Sequence, residues 1–126
     1  MSNVELFVII YSPLENSMAH WAINLRAAGS DLIYQANGDE GKLDLDIRKA
    51  NPKNSSRFRK EIKVSDIDDE VEVKRILEGQ PMNNDVASWN CQDWVMEALE
   101  ALNDEMLLGD YQYNEAKDTL MELYHG

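Results

Sequence analysis

"HWAINLRAAGSDLIYQA" (20–36) is the stretch on which the fold turns. Its first half alternates: Trp21, Ile23 and Leu25 share one face, and His20, Ala22 and Asn24 share the other. That is the period of a strand with two different faces. "AGSD" (28–31), with Gly29, reads as a tight connection, and "LIYQA" (32–36) as the return strand. The stretch predicts an antiparallel hairpin headed by His20, the only histidine away from the C-terminus.

Working outward, "VELFVIIYS" (4–12) is apolar and β-branched, which suits a strand covered on both faces. Pro13 and "LENSM" (14–18) break it. "NGDEG" (37–41) is a turn, and "KLDLDIR" (42–48) alternates with Leu43, Leu45 and Ile47 inward. Residues 50–56 read as a loop and "FRKEIKV" (58–64) as a further strand. The period then changes. "SDIDDEVEVKRILEG" (65–79) carries capping acids, an apolar spacing through Val71, Ile76 and Leu77, and a terminal glycine, so it predicts a short helix. Cys91, Val95, Ala98, Leu99 and Leu102 form one face of a longer helix, 90 to 106. "YNEAKDTLMELY" (113–124) is a last helix. Strands followed by helices make an α+β arrangement, a small antiparallel sheet and then helices, in a single domain over 1–126.

Composition narrows the function classes. The chain carries a net charge of −12, with residues 1–64 at +1 and residues 65–126 at −13. Such a balance argues against nucleic acid as partner. The basic island "RKANPKNSSRFRKEIK" (48–63) reads as an edge strand guarded by lysines, or as a patch for an anionic substrate group or an acidic partner. No apolar run reaches the roughly 18 residues of a membrane span, so no membrane anchor is expected. "MSNVELFVIIYSP" lacks a basic leader and a small-residue cleavage site and reads as a first strand. The single cysteine fits a reducing compartment, and the expected location is cytoplasmic. One cysteine and two histidines are too few for a zinc site, and "DIDDE" (66–70) lacks the glycine and spacing of a calcium loop. No metal and no cofactor are expected. The oligomeric state is not readable.

Cys91 carries the chemistry. A thiol at a helix start faces unpaired N–H groups and the positive end of the dipole, which favour thiolate and predict a lowered thiol pKa. The same amides suit the oxyanion of acyl transfer. An imidazole on a strand beneath that helix start, His20, would accept the thiol proton. The plainer reading is that Cys91 and His20 are two separate core residues. Asn90 reads as the helix cap, or as the residue that orients the cysteine loop. Asp93 favours the same helix start by its charge. Trp21, Trp89 and Trp94 read as core or as walls of an acyl pocket. His125 reads as frayed and inert.

At these residues the chain resembles the circularly permuted branch of the NlpC/P60 papain-like superfamily, which includes the lecithin:retinol acyltransferase-like proteins. "HWAINL" (20–25) resembles the family's histidine strand, and "NCQDWVMEAL" (90–99) its Asn-Cys helix start. The order, histidine before cysteine, is that of the permuted branch. The chain is also similar to small fungal proteins that share a His-Trp strand and an "NCQD" helix. The likeness covers roughly residues 18–37 and 88–102, and 40–86 match no part of the family pattern. It implies a papain-like fold, Cys91 as nucleophile, His20 as general base and Gln35 at the position of the third polar residue. The acyltransferase group has a histidine there. The implied function is a cysteine-dependent hydrolase or acyltransferase acting on an amide, ester or thioester of a small molecule. The alternatives are a catalytically silent member that binds a small molecule or protein, and a Cys/His acid–base catalyst of a cyclisation or isomerisation.

Overall fold

The computed structural model describes residues 4–13 and 18–125. The break read at 14–18 therefore lies almost wholly outside the described residues. Five strands come first: β1 Val4–Tyr11, β2 His20–Ala27, β3 Ser30–Asn37, β4 Asp44–Lys49 and β5 Phe58–Ile67. Three helices follow: α1 Glu70–Glu78, α2 Cys91–Asp104 and α3 Asp110–Leu123. The strands form one antiparallel sheet in the order β4-β3-β2-β1-β5. The α+β class expected from the change of period is the observed one. Among the described residues, no helix is long and apolar enough to cross a membrane.

The strand periodicity explains the two faces. Leu6, Val8 and Ile10 of β1 lie opposite Leu25, Ile23 and Trp21 of β2, and these six side chains are buried on the helix-covered face. Val95, Ala98, Leu99 and Leu102 of α2 close that core from above. The alternate residues Phe7, Ile9, Tyr11, Ala22 and Ile33 form a smaller apolar cluster on the other face. β1 is therefore apolar on both sides because both sides are covered, as its sequence predicts. At its far end the second face turns polar: the Arg26 guanidinium sits 3.9 Å from the Phe7 ring centroid and pairs with Glu61 at 2.9 Å.

The β2–β3 hairpin closes through Gly29, whose φ of +73° is the left-handed conformation that only glycine adopts without strain. Three local expectations need correction. On β4 Leu43 precedes the strand and is buried, Leu45 is half-buried, but Ile47 is 44% exposed. β4 is an edge strand, paired on one side only. In α1, Val73 and Leu77 are the buried residues, and Val71 is 76% exposed. α3 begins at Asp110 rather than 113, with Gly109 as its N-cap.

Candidate active-site cleft

β2 and β3 bring two predicted residues together. His20 Nε2 lies 2.6 Å from Gln35 Oε1. Gln35 is held in turn by the next strand, because register pairs it with Asp46 on β4. Its amide nitrogen donates to Asp46 Oδ2 at 2.8 Å, and Arg48 Nε donates to the same oxygen at 2.7 Å. A carboxylate only accepts, so Asp46 fixes which end of the Gln35 amide faces it. The Gln35 oxygen must then face the imidazole, Nε2 carries the proton, and Nδ1 is left as the basic nitrogen. Asp46 and Arg48 are positioning residues that the sequence reading passed over.

Cys91 opens α2 and is half-buried. Asn90 is the helix cap: its side-chain oxygen accepts from the N–H groups of Gln92 and Asp93, and Asp93 accepts from the Asn90 N–H in return. The cap takes those two donors and leaves the Cys91 N–H. His20, Gln35, Asn90, Cys91 and Trp89 line one cleft of about 820 Å³, together with Tyr11, Arg48 and Arg57. Trp89 is buried at 5% exposure and is tied by its indole N–H to Glu97 at 2.7 Å. Trp21 and Trp94 lie elsewhere: both are fully buried in the core under the helices and do not line the cleft.

The electrostatics reverse one expectation. Burial pushes the Cys91 thiol up, and the N–H groups of Trp21, Gln92 and Cys91 itself oppose this without overcoming it. A helix start favours thiolate only where the sulfur is solvated enough for the partial charges to win; here desolvation wins. The Trp21 N–H that acts on the sulfur belongs to β2, one residue after His20. His20 is held below its ordinary value, first by burial and then by the Arg57 and Arg48 charges, with the Gln35 hydrogen bond and Asp46 acting the other way. Both shifts favour the uncharged forms, thiol at Cys91 and imidazole at His20. Asp46 stays below the usual carboxylate range: burial opposes this, but the Gln35 and Arg48 hydrogen bonds prevail.

The "QD" that follows Cys91 is the tie between the helix start and the rest of the site. Gln92 is fully buried, donates to the Ala19 carbonyl at 2.8 Å, and accepts from the His125 N–H at 2.6 Å. Ala19 immediately precedes His20, so Gln92 fastens the head of β2 to α2. Asp93 also accepts from the Tyr124 hydroxyl. His125 is therefore not frayed: its backbone bonds to Gln92, and its ring stacks on Tyr124 at 3.9 Å.

These elements define a class: an α+β domain in which a cysteine at a helix start and a histidine on a sheet strand border one cleft. Residues 6–109 match DUF6540, a family of unknown function, and the chain belongs to that family. No curated protein and no solved structure matches it.

Proposed function

We propose that this domain is a permuted papain-like (NlpC/P60-like) fold that works as a cysteine-dependent hydrolase or acyltransferase on an amide, ester or thioester. The observation that carries the reading is the chain Arg48–Asp46–Gln35–His20, which ends on an oriented, neutral imidazole in the cleft that Cys91 borders. Such a chain does for an imidazole what an acyl-transfer enzyme needs: it fixes the tautomer and the ring plane. The strand order His20 then Gln35, with Cys91 at a later helix start, supports the permuted papain-like assignment.

Because the resting thiol is neutral, attack and proton transfer are coupled. The Cys91 sulfur bonds to the acyl carbon while its proton passes to His20 Nδ1, and the carbonyl π pair moves onto oxygen. The Cys91 N–H faces that oxyanion. Collapse restores the carbonyl, breaks the bond to the leaving group, and returns the proton from His20 to it. Water or another nucleophile then attacks the thioester, losing its proton to His20, and the sulfur leaves as thiol. Burial of the thiol is also what favours the second reading, a ligand-binding member without turnover. Ester hydrolysis by wild type beside Cys91→Ser and His20→Ala separates them: the enzyme reading requires turnover that both substitutions abolish, and equal background rates in all three leave the binding domain.

A further inference from the structure

The cleft carries two guanidinium groups that the acyl-transfer chemistry does not use. Arg57 is half-buried on the segment leading into β5. Its Nε and Nη2 donate to the Ser12 carbonyl at 3.1 and 2.5 Å, and the Ser12 N–H donates back to the Arg57 carbonyl at 2.7 Å. Among the described residues, no carboxylate pairs with it. Arg48 is fixed through Nε to Asp46, so its two terminal nitrogens remain available. Both line the cleft with His20 and with Tyr11, whose ring lies 5.8 Å from the imidazole. Each guanidinium is locked by a partner that leaves N–H groups over, which is a preorganised fork for an oxyanion. Among the described residues, the charges that act on His20 are these two cations and Asp46; Asp39 and Glu40 stand exposed on the β3–β4 turn at the rim. A half-buried cation that meets only a carbonyl leaves a positive potential inside the cleft.

We propose that Arg57 and Arg48 form an oxyanion-recognition subsite, so that the small molecule taken by this cleft carries a carboxylate or phosphate group. The word substrate here rests on the acyl-transfer reading; the anion subsite does not. The probes are iodoacetate and iodoacetamide, which differ by one negative charge. In either, the Cys91 sulfur forms a bond to the methylene carbon, the carbon–iodine bond breaks, iodide leaves, and the thiol proton passes to base. Cys91 is the only cysteine, so intact mass reads one site. The iodoacetate-to-iodoacetamide rate ratio should fall about tenfold in Arg57→Gln, the size of one nearby charge in a partly solvated site. It should hold in Arg57→Lys and in Arg59→Gln, which alters an exposed arginine of the same island. A second readout does not involve the thiol: inorganic phosphate should shift the His20 ring resonances saturably in wild type and not in Arg57→Gln. An unchanged ratio together with no phosphate response overturns the subsite. A phosphate response with alkylation indifferent to His20→Ala keeps the subsite and removes the acyl-transfer reading.

Discussion

Replacing Gln92 by leucine should lower stability by about 2 kcal/mol although the volume is nearly kept. Gln92 is 0% exposed and bonds two backbone groups from distant parts of the chain, Ala19 and His125. Leucine fills the space but accepts and donates nothing. The Ala19 carbonyl belongs to a residue only 3% exposed, so it stays buried without its donor. Leaving such a group unpaired costs about 1–3 kcal/mol. His125 is exposed, so its N–H regains water and adds little. For a chain of this length about 2 kcal/mol corresponds to a fall in Tm of roughly 6–8 °C. Urea unfolding followed by tryptophan fluorescence measures the change, since Trp21 and Trp94 report on the core. Because Ala19 leads into His20, the same variant should also slow reaction at Cys91. A Tm within a degree of wild type would refute the view that Gln92 fastens β2 to α2.

Gln35→Ala should keep the fold and lower turnover by about a hundredfold at most, less than Cys91→Ala, because it removes orientation and not the nucleophile; kcat and KM measured side by side check this. His20 has a folded pKa below 6.5, so the unfolded chain takes up its proton first and stability should fall as pH drops from 6.5 through the folded value. Urea midpoints at pH 7 and pH 5 should show that loss in wild type and a smaller one in His20→Gln. Cys91 has a folded pKa above 9.0, so stability should fall as pH rises past 9.0, and Cys91→Ala should lack this component of the midpoint-against-pH profile. Asn90→Ala removes the acceptor for two N–H groups and should cost about 1 kcal/mol in thermal or urea unfolding.

The elements that sequence made legible are those with strong periodicity. Trp21, Ile23 and Leu25 alternate because β2 has one face under the helices, and Val95, Ala98, Leu99 and Leu102 repeat because α2 lies on that face. His20 stood out at the head of the hairpin, and Gln35 only through the family resemblance. Asp46 and Arg48 left a signal: "KLDLDIR" puts them on one side of an alternating strand, and counting around the 37–41 turn sets Asp46 opposite Gln35. Gln92 left none, because its partners are backbone groups 73 and 33 residues away. The direction of the Cys91 shift was illegible for another reason. A helix start and burial act oppositely on a thiol, and only packing decides between them.

The central claim is that Cys91 attacks an acyl carbon with His20 as its base. It is tested most directly by intact-protein mass after mixing with an activated ester such as p-nitrophenyl acetate. Wild type should gain one acetyl mass within the first turnover, Cys91→Ala should gain none, and His20→Ala should acylate at least about a hundredfold more slowly. An adduct that forms equally fast without His20, or no adduct in wild type, would contradict it.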